Sequence, residues 1–143
     1  MLFEPFVIGT RGVRELKVQP GECAVVFGAG IIGMTSAIML KWYGCAEVML
    51  VDLSEFRLAN ARKLGFLTCN PAHEDLRNAA FAAFGRSPGY PAEKCGARLY
   101  VDAVGVPSVI ESFAALAPRN GSLALVGVHK QPVPLDLTQI AFN

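Results

Sequence analysis

Residues 23–52 read C-A-V-V-F-G-A-G-I-I-G-M-T-S-A-I-M-L-K-W-Y-G-C-A-E-V-M-L-V-D. An apolar run, 23–27, meets glycines at 28, 30 and 33, and a long apolar segment follows. A second apolar run, 48–51, closes on Asp52. The order is strand, tight turn, helix, strand, acid. This is the βαβ fingerprint of dinucleotide binding, with its acid in place.

Each part has a physical task. Gly28 permits the sharp turn out of the strand, Gly30 lets a diphosphate approach the backbone, and Gly33 lets the helix pack closely. The amides of Gly30, Ile31, Ile32 and Gly33 then face the phosphates, where the helix dipole adds positive potential. Asp52 is placed to accept hydrogen bonds from the adenosine ribose hydroxyls. A 2′-phosphate there would meet a carboxylate, so the pattern favours NAD over NADP. Arg57 reads as helix surface or as an adenine-side contact.

Outward from this stretch, strands and helices alternate. Helices are expected at 31–43, 55–64, 74–84 and 107–116, and strands at 66–69, 97–101 and 122–126. Gly44 and Gly65 suit helix stops, and Ser54 suits a helix start. Alternation implies a doubly wound parallel α/β sheet in the order 3-2-1-4-5, truncated before a sixth strand. Ligands bind such sheets at the carboxyl ends of the strands, where the order reverses. That draws the glycine turn, Asp52, Ala103-Val104-Gly105 and Val126-Gly127-Val128 around one crevice. Residues 1–22 read as an arm or crossing from a missing domain, with 1–6 as the arm and 9–18 as a short helix or an irregular crossing, and 23–143 as the dinucleotide-binding domain. The loop at 85–96 is long for this fold, either a surface insertion or a functional flap.

Bulk properties exclude other classes. The 143 residues fit one domain. Hydrophobic residues make up 52% and charged residues 17%, an apolar balance that buried parallel strands partly explain and a partner surface would complete. A net charge of +1 with no basic stripe argues against nucleic acid. No run reaches transmembrane length and no signal-peptide pattern opens the chain, so the expected setting is cytoplasmic. Cys23, Cys45, Cys69 and Cys95, with His73 and His129, stand at no metal-binding spacing. Three of the cysteines read as packed, reduced thiols, and Cys95 as a loop residue open to exposure.

Four segments together resemble the medium-chain, zinc-dependent alcohol dehydrogenase family over nearly the whole chain. They are V-x-P-G-E-x-A-V-V-F-G-A-G-I-I-G-M (18–34), V-D-L-S-E-F-R-L-A-N-A-R-K-L-G (51–65), V-D-A-V-G (101–105) and N-G-S-L-A-L-V-G-V (120–128). The resemblance is to the family's coenzyme domain. It implies that Ala103 to Gly105 pass the cofactor and that the backbone of Val126, Gly127 and Val128 lies by the nicotinamide. Glu4-Pro5, with Glu4 lying 24 positions before Gly28, resembles the pair of the sorbitol and threonine dehydrogenase branch. There the glutamate lies at the catalytic zinc, so Glu4 is a zinc-site residue by resemblance or a solvated side chain in a loose arm.

The family's cysteine ligand, its Gly-His-Glu motif and its structural zinc lobe are absent from 1–143, and Arg98 stands where the family usually has Asp. The expectation is an NAD(H)-binding domain with no catalytic residues of its own. The full-length enzyme would oxidise an alcohol or polyol with zinc and would be a homo-oligomer. The alternatives are a stand-alone NAD(H)-sensing module or an S-adenosylmethionine-binding domain. A fifth strand left as a free edge predicts self-association there, or a tail (132–143) folded over it.

Overall fold

The computed structural model describes residues 3–138. The strands are β1 (Cys23–Phe27), β2 (Glu47–Val51), β3 (Leu67–Cys69), β4 (Arg86–Ser87), β5 (Lys94–Cys95), β6 (Leu99–Asp102) and β7 (Ser122–Leu125). The helices are α1 (Phe3–Glu15), α2 (Ile31–Trp42), α3 (Glu55–Lys63), α4 (Leu76–Phe84) and α5 (Pro107–Leu116). Five strands form one parallel sheet in the order β3-β2-β1-β6-β7. This is the expected doubly wound order, with the reversal between β1 and β6.

The sheet is apolar on both faces, and residue parity along each strand divides the core. Ala24 and Val26 of β1, with Val48, Leu50, Leu99 and Val101, pack beneath α1, α2 and α3. Val25 and Phe27, with Met49, Val51 and Tyr100, pack beneath α4 and α5. Successive side chains point to opposite faces, so a continuous run of apolar residues is what a strand covered on both sides needs. The Tyr100 ring meets Phe113 edge-on at 5.1 Å and stacks on Phe27 at 6.5 Å.

Three sequence expectations are corrected. The first concerns the N-terminal arm: residues 3–15 are a helix packed on α2 and β7. The helix takes in the arm and begins six residues before the short helix that is one reading of 9–18, and it contains Gly9 and Gly12. In the fold they form a flat strip. A Cβ at Gly9 would stand 2.6 Å from Thr35 Oγ1, and one at Gly12 2.5 Å from Val126 Cγ2. The price of two helical glycines is offset by this close approach. Pro5 lies in the first turn, where no intrahelical amide bond is lost.

The second concerns the 85–96 loop, which contains an antiparallel hairpin, β4–β5. Lys94 is buried, and its Nζ donates to the carbonyls of Ala114 (2.7 Å) and Ala115 (3.3 Å) at the end of α5. An ammonium at a helix C-terminus meets the negative end of the dipole. Burial holds the Lys94 pKa below its usual value, with Arg77 adding to the effect. No residue of 85–96 lines the cleft described below, which favours the surface-insertion reading over a flap.

The third is Cys95, which is fully buried in β5. Burial also pushes the Cys45 thiol up to about 11 and the Cys69 thiol up to about 12, so both stay protonated. Residues 139–143 of the expected covering tail lie outside the described residues.

Candidate functional site

The cleft lies at the carboxyl edge of the sheet, where β1 parts from β6. Its volume is about 850 Å³. Gly28, Gly30, Asp52, Arg57, Ala103 and Val104 all line it, joined by Ser54, Val106 and Ser108. A shallower groove of about 700 Å³ runs along α1 past Phe3, Phe6 and Val7, but it gathers no convergent polar groups beyond Thr10, Arg11 and Arg14 of the same helix.

The glycine turn is built as its sequence requires. Gly28 has φ of +95°, in the left-handed region that favours glycine, and its amide donates to Val51 O at 2.7 Å. A Cβ on Gly33 would stand 1.8 Å from the carbonyl oxygen of Gly28, so the first turn of α2 is pressed against the turn that precedes it. Gly30 differs: a Cβ there would meet nothing within 4 Å. Gly30 is also the N-cap of α2 and offers no side chain to the first-turn amides. Those amides have no intrahelical acceptors. They form an open, positively polarised cradle that fits a diphosphate. Ile31 lies on a neighbouring groove with Phe6, Gly30 and Arg57.

Asp52 faces this opening. Its Oδ2 accepts the Ala29 amide at 2.7 Å, and its Oδ1 accepts the Ser54 amide at 2.8 Å. A carboxylate has about four lone-pair sites, so acceptor capacity remains for two ribose hydroxyls. Arg57 Nη1 stands 3.6 Å from Asp52 Oδ2 on an exposed side chain. Ser54 occupies the N-cap of α3 but makes no capping bond with its hydroxyl.

On the other side of the reversal, the loops after β6 and β7 are in contact. A Cβ on Gly105 would stand 2.5 Å from Val128 O, and one on Gly127 2.4 Å from the Gly105 nitrogen. Asp102, fully buried, binds both loops. Its Oδ1 accepts the amides of Val104 and Gly105, each at 2.8 Å. Its main-chain carbonyl accepts those of Val126 (2.9 Å) and Gly127 (2.7 Å). Its Oδ2 lies 2.6 Å from His129 Nε2. The Val126 side chain turns away from the cleft towards Gly12 of α1, and Val128 is exposed.

Asp102 and His129 are not among the site residues that sequence reasoning finds. The available signal was an acid closing the apolar strand 99–102, which demands a partner in the interior. Glu4 stands exposed in the first turn of α1. Among the described residues, no three His, Cys, Asp or Glu side chains gather into a metal site, and no helix is long and apolar enough to cross a membrane.

The chain is similar in sequence and in fold to known proteins. The model of the zinc-binding dehydrogenase family matches residues 31–143. A 2-dehydro-3-deoxy-L-galactonate 5-dehydrogenase of Pseudoalteromonas atlantica is 33% identical over 96% of the chain and 38% of its own length. An L-threonine 3-dehydrogenase of Photobacterium profundum is 31% identical over 99% of the chain and 39% of its own. The crystal structure of 2R,3R-butanediol dehydrogenase from Bacillus subtilis superposes with a TM-score of 0.83 at 25% identity, covering 97% of this chain and 38% of that one. The chain thus spans under two fifths of the length of these relatives.

Proposed function

The chain belongs to the zinc-binding dehydrogenase family, and from that premise we propose that it is the coenzyme-binding part of an NAD-dependent alcohol or polyol dehydrogenase. The observation that carries the proposal is the pairing of an open amide cradle at Gly30 with Asp52 facing it across the cleft. When bound, the nicotinamide accepts or returns a hydride; the chain binds and orients it. The amides of Gly30, Ile31, Ile32 and Gly33 hold the diphosphate. Asp52 accepts the ribose hydroxyls and disfavours a 2′-phosphate, while Arg57 covers the adenine side. Ala103, Val104 and Gly105, with the backbone of Val126, Gly127 and Val128, bound the nicotinamide end.

Zinc is assigned to the full-length parent. Glu4 alone does not hold a metal, which takes about three or four ligands. Four unpaired cysteines support a cytoplasmic setting. The outer edge of β7, where Leu125 is exposed, supports assembly into a homo-oligomer.

The test is calorimetric titration of the purified chain with NADH, NADPH and S-adenosylmethionine. NADH is expected to bind at least about tenfold more tightly than NADPH, the worth of hydrogen bonds to a charged acceptor. Asp52→Asn should narrow that gap. A response to S-adenosylmethionine alone, or a preference for NADPH, overturns the assignment.

A further inference from the structure

The side chain least accounted for by the fold is His129. It lies beyond β7 and is mostly buried, and among the described residues its hydrogen-bonding partner is Asp102, 27 residues earlier. Its Nδ1 is buried without a partner. The ring's burial is therefore compensated through Nε2 alone. Nε2 donates to the Asp102 carboxylate whether the ring is the neutral Nε2–H tautomer or the imidazolium.

What that bond holds is specific. Asp102 Oδ1 is committed to the Val104 and Gly105 amides. Among the described residues Oδ2 has no other partner, so His129 fixes the rotation of the carboxylate about its Cβ–Cγ bond. A carboxylate free to turn would release one or both loop amides. The Gly105–Val128 and Gly127–Gly105 approaches leave no slack, so a shift in the β6 loop is passed to the β7 loop. Both loops sit on the side of the cleft away from Asp52.

We propose that His129 is a positioning residue: through Asp102 it sets the two loops that receive the nicotinamide, and it leaves the adenosine half of the cleft untouched. The proposal rests on the cofactor reading above.

The experiment compares NADH with ADP-ribose, which lacks the nicotinamide, by calorimetry on wild type, His129→Leu and His129→Gln. Wild type should bind NADH more tightly than ADP-ribose. His129→Leu should lose about fivefold in NADH affinity, the scale of one hydrogen bond, with ADP-ribose changed less than twofold. His129→Gln, whose Nε2 can donate to the same oxygen, should recover most of the loss. Should His129→Leu fail to fold, the double variant Asp102→Asn/His129→Leu removes the buried charge as well and carries the same comparison. Amide exchange without ligand is the second readout. Val104, Gly105, Val126 and Gly127 should exchange faster in the Leu variant, with Gly30–Gly33 unchanged.

An unchanged ratio of the two affinities, an equal loss of both ligands, or unchanged exchange at the four loop amides overturns the positioning role. Failure of wild type to bind either ligand sinks the cofactor reading itself, and this proposal with it.

Discussion

Between β1 and β2 the cleft is shaped by backbone; between β6 and β7 it is shaped by one buried carboxylate. In the first half, Gly28 turns, Gly33 presses against it, and Gly30 stays open. Asp52 adds two bonds to amides, but the turn would keep its form from the glycines alone. In the second half, two loops meet at Gly105 and Gly127, and Asp102 gathers four amides and an imidazole. The difference is one of redundancy. A turn written in consecutive residues has many local determinants. A junction between distant loops has one residue on which everything converges.

The sharpest break of this comparison is at Asp102. Asp102→Ala leaves the part-buried Val104 and Gly105 amides and the His129 ring without their acceptor. The expected loss is about 3–5 kcal/mol, the scale for removing one partner of a buried charged network. Asp102→Asn keeps an oxygen for the two amides, and His129 can shift tautomer to face the new NH₂ group, so its cost should stay below about 1.5 kcal/mol. Urea unfolding of both variants decides the matter. An Asp102→Ala loss as small as that of Asp102→Asn would mean that the carboxylate is not the point of convergence.

A smaller effect is expected in the glycine turn, where two substitutions of the same size should diverge. In Gly33→Ala the new methyl would stand 1.8 Å from Gly28 O, against backbone that cannot step aside. The expected cost is about 3 kcal/mol, at the upper end for overpacking. Gly30→Ala meets open space and should change stability by less than about 1 kcal/mol. Its methyl would project where the diphosphate approaches, so NADH affinity should fall while the fold holds. Thermal unfolding and calorimetry on the same two proteins separate the outcomes. A Gly30→Ala variant that binds NADH normally would show that the cradle is not the phosphate site.

The same contrast explains what could be read from residue order. The strand–turn–helix–strand–acid unit lies within 30 consecutive residues, so spacing alone placed Gly28, Gly30, Gly33 and Asp52. The sheet order followed from alternation. The Asp102–His129 bond depends on β6 and β7 pairing in register, Leu99 beside Ser122 and Asp102 beside Leu125. No local pattern announces that. Helix α1 was legible only in part, as one of two readings of 9–18, and for a related reason. Gly9 and Gly12 weaken its intrinsic helical signal, and what stabilises it is contact with Thr35, Ser36 and Val126, residues far along the chain. The β4–β5 hairpin has two residues per strand, too short to show a period, and Lys94 finds its acceptors some 20 positions away.

A long-range bond is not by itself an important one, and the opposite end of the sheet supplies the control. Glu22 and Arg98, 76 residues apart, join the amino ends of β1 and β6, where Arg98 also reaches Asn120 O and Ser122 Oγ at 3.3 Å each. The hydrogen bond from Arg98 holds the Glu22 carboxyl below its ordinary value of 4.5, against the opposing effect of burial. Both side chains are partly buried but still touch solvent, 31% for Arg98 and 18% for Glu22, so Glu22→Gln should cost only about 1 kcal/mol at pH 7. The sign is fixed by the lowered pKa. The stabilisation is present above the unfolded value and is lost as pH falls through the folded one. The gap between wild type and Glu22→Gln should therefore close in unfolding measurements taken from pH 5 downward. A gap that persists at low pH would show that packing rather than charge holds this end. A loss as large as that of Asp102→Ala would remove the distinction drawn here, because a pair that touches solvent would then weigh as much as one built on a fully buried carboxylate.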